Sequence, residues 1–130
     1  MGKGGFMKGF VTNIEDDTQK NEYFRRVLYT APHSQLVVMA LQPGEDIGTE
    51  THAEHDQFIR IEAGEGKSVL QGEEQILRDG SAVVIPAGTQ HNIINTGTTV
   101  MKLYTVYTPP EHKDGTIHKT KEEALQEHHE

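Results

Sequence analysis

Apolar residues along this chain cluster in short runs, separated by glycine, proline and polar turn residues, and do not recur at helical spacing. The runs YFRRVLYT (23–30), QLVVMAL (Gln35–Leu41), FIRI (58–61), KSVL (67–70), QIL (75–77), AVVI (Ala82–Ile85), HNII (91–94) and VMKLYTVY (100–107) each have strand length and β-rich composition. Between them lie Pro43-Gly44, Gly64-Glu65-Gly66, Gln71-Gly72-Glu73, Asp79-Gly80, Pro86-Ala87-Gly88 and Gly97, with Thr108-Pro109-Pro110 ending the last run. Many short strands with turn signals at regular spacing predict an all-β fold, an antiparallel barrel or sandwich. The nearly unbroken apolar run QLVVMAL predicts a strand covered on both faces. Residues 11–21 are polar and give a weak strand or loop, and residues 47–57 alternate poorly and carry a dense polar cluster. The helical candidate is 120–129, with Thr120 as cap and good helix formers behind it.

Composition sharpens this picture in three ways. A length of 130 residues with no internal repeat fits one domain with its own core. We expect a loosely held arm over 1–20, rich in glycine at its start, a barrel over 21–110, and a tail with a short helix over 111–130. The absence of cysteine rules out disulfides and thiolate metal sites. A net charge of −8 without a basic patch argues against nucleic acid or an anionic membrane as partner, and a cytoplasmic protein is expected because no apolar stretch has the length of a membrane span.

The most informative stretch is GSAVVIPAGTQHNIIN, with Gly80, Pro86, Gly88, His91 and Asn95 at fixed offsets. It reads as strand, turn and strand, the proline closing one strand and the glycine at the tip of the turn. His91 then lies just inside the second strand. Five such residues would fall in register by chance roughly once in 10⁴–10⁵ for a chain of average usage. This spacing resembles the second motif of the cupin family. The first motif of that family is matched less fully, as Glu50-x-His52-x₄-Gln57-x₆-Gly64. The family usually has a second histidine where Glu50 stands and a glutamate where Gln57 stands. In the type similar to mannose-6-phosphate isomerase the trio is Gln, His and Glu, so acid and amide are exchanged here. The resemblance spans roughly residues 36–110 and is to small single-domain cupins. It implies an antiparallel jelly-roll β-barrel, a bound metal ion, a small-molecule substrate inside the barrel and a homodimer.

Strand parity offers independent support for that ligand set. Alternate side chains share a face, so Glu50 projects with His52, Gln57 with Ile59 and Ile61, and His91 with Ile93. Two imidazoles, a carboxylate and an amide oxygen suit one divalent transition metal ion, Mn, Fe, Ni, Co or Zn, and leave coordination positions open for chemistry. Glu50 has the alternative reading of an acid behind the ligands or at the surface. His55 and Asp56 are expected to be loop residues facing water, and either is the alternative to Gln57. On the last long strand Met101, Lys102, Tyr104 and Tyr107 are candidates for the pocket wall, with ordinary packing as the alternative for each. His112 and His118 flank Asp114-Gly115 and read either as a solvated turn or as a cover over the barrel mouth. Arg60 is off the inward register and is expected to face solvent or a partner. Unpaired barrel edges need covering, and 23–30 is a candidate for pairing in the dimer.

The function these residues imply is that of a metal-dependent enzyme acting on a small oxygen-rich substrate. The metal would serve as Lewis acid, in a sugar-phosphate isomerase or a keto-acid decarboxylase. Isomerisation would need a free general base near the metal, and Glu50 cannot be both tight ligand and base. Decarboxylation needs only the electron sink. An iron-dependent dioxygenase is a third enzymatic option, and a non-catalytic sensor or carrier is the alternative of a different class.

Overall fold

The computed structural model describes residues 8–128. In chain order these form α1 (Ile14–Lys20), β1 (Arg25–Thr30), β2 (Gln35–Leu41), β3 (Asp56–Ala63), β4 (Gly66–Leu70), β5 (Glu73–Leu77), β6 (Ala82–Ile85), β7 (His91–Asn95), β8 (Met101–Thr108), β9 (Ile117–His118) and α2 (Lys121–His128). Two antiparallel sheets face each other, one in the order β6-β3-β8-β2-β1-β9 and the other β5-β4-β7. This is the expected all-β jelly roll with a short C-terminal helix. The inward side chains of both sheets form one core, including Val37, Met39, Leu41, Ile59, Ile61, Ile85, Ile93 and Leu103.

Strand β2 is buried on both faces for a local reason. Val37, Met39 and Leu41 point into the barrel, while Val38 and Ala40, also buried, lie on the outer face. Helix α1 packs over that face, against β2, β3 and β8. The expectation of a strand or loop over 11–21 is therefore corrected. Asn13 caps the helix by accepting from the Asp16 amide, Glu15, Asp16 and Asp17 sit where the helix dipole favours acids, and Thr18 is fully buried. The first part of the expected N-terminal arm, residues 1–7, lies outside the described residues.

At the other end, Thr120 and Glu123 cap α2. The Thr120 hydroxyl accepts from the Glu123 amide, and the Glu123 carboxylate accepts from the Lys119 amide. Ala124 joins the core, and Lys121 pairs with Asp46. Burial alone would raise the Asp46 carboxyl, but Lys121 and Asn92 together hold it below its ordinary range. Strand β9 lies beyond residue 110 and pairs with β1, Arg25 opposite His118, so the sheet continues into the C-terminal segment. Strand β1 is paired with β2 along one side, and on the other β9 covers it at Arg25 and Arg26.

Two glycines are required by geometry. Gly64 has φ +105, and an added Cβ would come within 2.9 Å of the Met101 Cα. Gly88 turns the chain between β6 and β7 at φ +86.

Candidate metal centre

The site begins with the pairing of an irregular segment against β7. Residues 44–50 run antiparallel to β7 through Gly44 and Asn95, Ile47 and Ile93, and a reciprocal pair in which Glu50 and His91 each donate a backbone N–H to the other's carbonyl. Asn92 supports this segment from the side, accepting from the Gly48 amide and donating to Asp46. Directly opposed residues present their side chains on one face, so Glu50 and His91 converge. The Pro86-Ala87-Gly88 turn then ties down the next ligand-bearing loop. Gly88 donates to the His52 carbonyl, and Ala87 donates to the Asp56 carboxylate.

As a result, one potential ligand atom from each of Glu50, His52 and His91 lies within 4.8 Å of the others. His91 is almost wholly buried, and its Nδ1 lies 2.9 Å from the Thr89 carbonyl. A carbonyl only accepts, so the proton sits on Nδ1 and Nε2 is left as the free lone pair. The His52 Nε2 lies 3.2 Å from Glu50 Oε1, yet without hydrogen-bond alignment, and it is buried. On the opposite side of the ring, His52 Nδ1 faces Glu111 Oε1 at 3.7 Å. The Glu50 carboxylate raises the His52 pKa above its ordinary value, burial opposes this, and Glu111 adds to the rise.

Gln57 is inward on β3 and only 3% exposed. Its Nε2 donates to Thr105 Oγ1 at 3.0 Å, which fixes the amide, and its Oε1 is buried with no partner. A buried acceptor left bare costs about 1–3 kcal/mol, so some donor or cation is the natural complement. This donor set (two imidazoles, a carboxylate and an unpaired amide oxygen) fits a divalent transition ion. Asn95, the last residue of the matched motif, has a structural task. It is fully buried, donates to the Leu41 and Thr99 carbonyls, and accepts from the Gly97 amide.

Strand β8 divides the expected pocket wall by parity. Met101, Leu103, Thr105 and Tyr107 face inward, whereas Lys102 and Tyr104 face outward. Tyr104 lies tilted against Phe58, and Lys102 donates to the Asn21 carbonyl, so neither belongs to the wall. Met101 is buried against Gly66, which pairs with Asn95 at the far end of β7 from His91, so it is core. Tyr107 remains at the site. Its ring stands edge-on to His52 at 6.0 Å and to His112 at 5.3 Å, and burial raises its hydroxyl pKa well above the ordinary phenol range. The phenol is therefore a fixed neutral group.

His55 does not face water as expected. Its Nδ1 lies 2.7 Å from the Pro109 carbonyl and its Nε2 lies 3.0 Å from Glu111. Asp56 opens β3 and holds the Ala87 amide, so neither it nor His55 takes the place of Gln57 in the cluster. Arg60 is half-exposed and lies 3.8 Å from Glu62, in keeping with its outward register.

Of the two readings for His112 and His118, the cover fits His112, whose half-buried ring stands against Tyr107 and whose pKa burial pushes down to about 3. His118 is 7% exposed and pairs across from Arg25, so it is not a solvated turn residue. Gln35 anchors this cover, its Oε1 accepting from the Glu111 and His112 amides while its Nε2 donates to the His112 carbonyl. Two residues at the mouth escaped the sequence reading. Arg25 carried a readable signal, since it shares parity with inward Val27 on β1. Glu111 carried none, because a residue after Pro109-Pro110 has no periodicity to follow.

The Cupin domain family model matches residues 37–107. The uncharacterized protein YrkC of Bacillus subtilis is 48% identical over 125 residues, which is 91% of this chain and 67% of that protein. The crystal structure of BH2720 from Bacillus halodurans superposes with a TM-score of 0.89 at 46% identity, covering 90% of this chain and 93% of that one. A predicted oxalate decarboxylase from Thermotoga maritima superposes at 0.56 with 26% identity, over 58% of this chain and 66% of that one. No helix among the described residues is long and apolar enough to cross a membrane. With its sheets in jelly-roll order, its second motif complete and most of its barrel matched by the family model, the chain belongs to the cupin family.

Proposed function

We propose that this chain is a metal-dependent enzyme that decarboxylates or isomerises a small oxygen-rich substrate, a keto acid or a sugar phosphate. The observation that carries this reading is the convergence of Glu50, His52 and His91 within 4.8 Å, with the bare Oε1 of Gln57 buried on the neighbouring strand. Glu50, His52, Gln57 and His91 would hold a divalent transition ion. Once bound, the ion would supply Lewis-acid stabilisation of negative charge developing on a substrate oxygen.

The protein's own groups prepare that site. Thr89 keeps the His91 proton on Nδ1, and Glu111 faces Nδ1 of His52, so both rings present Nε2 inward. Thr105 turns the Gln57 amide so that its oxygen, not its nitrogen, is free. Tyr107, neutral and buried with its ring edge-on to His52, would supply a hydroxyl to orient substrate. Among the described residues, the carboxylate nearest the cluster besides Glu50 is Glu111, and it is engaged with His55 and His52 rather than held ready as a general base. Decarboxylation, which needs no such base, therefore suits these residues better than isomerisation.

The test is to purify the protein without added metal, measure its metal content, and assay β-keto acids for CO₂ release beside sugar phosphates for isomerisation. A divalent ion bound one per chain, with turnover abolished by a chelator and restored by that ion, is expected. A protein that takes up no transition ion at stoichiometric level overturns the reading.

A further inference from the structure

A second feature of the barrel mouth concerns charge. Between β1, β9 and α2 lies a cavity of about 230 Å³ whose walls include Arg25, Glu111, His112, Lys113, His118 and Glu127. Arg25 is 6% exposed, with its guanidinium 5.2 Å from the Phe24 ring centroid. Its Nη1 lies 3.1 Å from His118 Nδ1. Guanidinium only donates, so His118 accepts at Nδ1 and carries its proton on Nε2, which pairs with Glu127. His118 thus stands between an arginine and a glutamate, and Glu127 lies one full ring away from the arginine.

Among the described residues Arg25 forms no ion pair, and its Nε is buried without a partner. His112 Nε2, from the same cavity wall, is also buried and unpartnered. A buried cation without a counter-charge is costly, and two bare polar atoms beside one cavity compound the cost. Lys113 adds a further positive charge at the rim. Of the two carboxylates in these walls, Glu111 is directed at His55 and His52 and Glu127 at His118, so neither pairs with Arg25. What these walls lack is a small oxyanion, for which the planar guanidinium is the best-matched protein partner.

We propose that this cavity is an oxyanion subsite, in which Arg25, His112 and Lys113 take a carboxylate or phosphate group of the substrate. Arg25 also lines a smaller, separate cavity, about 40 Å³, together with Glu50, and Glu111 of the subsite wall faces His52, so the bound group would be the anionic end of a substrate of the cluster. That placement rests on the metal reading; the anion binding itself does not.

Malonate and inorganic phosphate serve as the two probes, titrated into metal-free protein at constant ionic strength with binding read by calorimetry. One of them is expected to bind, and which one assigns the carboxylate or the phosphate. Arg25→Gln should weaken that binding by about tenfold or more, since a hydrogen-bonded charge is lost. Arg26→Gln, on the exposed outer face of the same strand, should leave it unchanged. Should Arg25→Gln fail to fold, Lys113→Gln and His112→Leu are measured in its place and each should weaken binding. Neither probe binding the wild type, or Arg25→Gln and Arg26→Gln weakening it equally, overturns the subsite. Metal content of Arg25→Gln is measured in parallel and should match the wild type. Anion binding without metal uptake would remove the metal reading and leave the subsite standing.

Discussion

His112 makes the stability of the metal-free protein depend on acid in a way that one substitution can isolate. Its ring is buried against Tyr107, its Nε2 has no partner, and its folded-state pKa lies at about 3, with burial the largest cause and Arg25 the next. In the unfolded chain the same ring titrates near its ordinary 6.5. As pH falls below that value the unfolded state gains a proton that the folded state refuses, so stability declines. Each pH unit in this window costs about 1.4 kcal/mol, which accumulates to about 2–3 kcal/mol by about pH 4.5. Against a typical domain stability of about 5–15 kcal/mol, that is a large fraction.

The measurement is urea denaturation, followed by circular dichroism, of wild type and His112→Phe at about pH 7.5 and about pH 4.5. His52 runs the other way. Its raised folded-state pKa contributes stability that is fully present below 6.5 and is lost as pH rises through the folded value. That contribution is common to both proteins and cancels in their difference. The variant should match the wild type within about 1 kcal/mol near neutrality and exceed it by about 2–3 kcal/mol in acid. Parallel loss of stability in the two proteins would refute the buried neutral ring.

The remaining predictions concern the cluster. His91→Ala should lose the metal while keeping its circular dichroism spectrum, because Pro86 and Gly88 fix the turn independently; full metal content in the variant would remove His91 from the ligand set. Glu50→Ala should lose metal where Glu54→Ala does not, since Glu54 lies exposed in the loop between ligands and only Glu50 is paired across from His91. Gln57→Glu should retain metal longer in dialysis against chelator and turn over more slowly, because a second carboxylate attracts the ion and blunts its Lewis acidity; unchanged retention would mean that Gln57 does not touch the metal. A homodimer, implied by the resemblance, has further edges to use besides β1, which β9 already covers at Arg25 and Arg26. The outer strands β5 and β6 carry Ile76 and Val84, 73% and 66% exposed, so light scattering on Ile76→Lys/Val84→Lys should give a monomer where the wild type gives a dimer.

How much of this was legible in the sequence follows from what each signal depends on. Strands written as apolar runs, and turns written as Pro86-Ala87-Gly88 or Gly64-Glu65-Gly66, are local, and the structure has them where the pattern put them. Glu50 and His91 could be brought together on paper only through family spacing, because their pairing crosses an irregular segment with poor alternation. Helix α1 was missed because its evidence is a cap and an acidic first turn, not an apolar stripe, and its partner is the outer face of β2. That same face explains why QLVVMAL is apolar throughout, so the clue to the helix lay in the strand it covers. The tail was the hardest part, since Glu111, His112 and His118 follow two prolines in a polar stretch that looks solvated. What draws Glu111 and His112 inward is Gln35, one buried amide whose oxygen takes two backbone N–H groups of the tail and whose nitrogen reaches a third residue's hydroxyl and the His112 carbonyl, while pairing with β1 holds His118. A buried glutamine at the start of an apolar strand was therefore the visible sign that a polar segment must come back to meet it. The same logic applies to Gln57, whose nitrogen is matched and whose oxygen is not. Gln35 has every bond it needs from the protein, and Gln57 does not, which is why the first reads as architecture and the second as a place for a ligand.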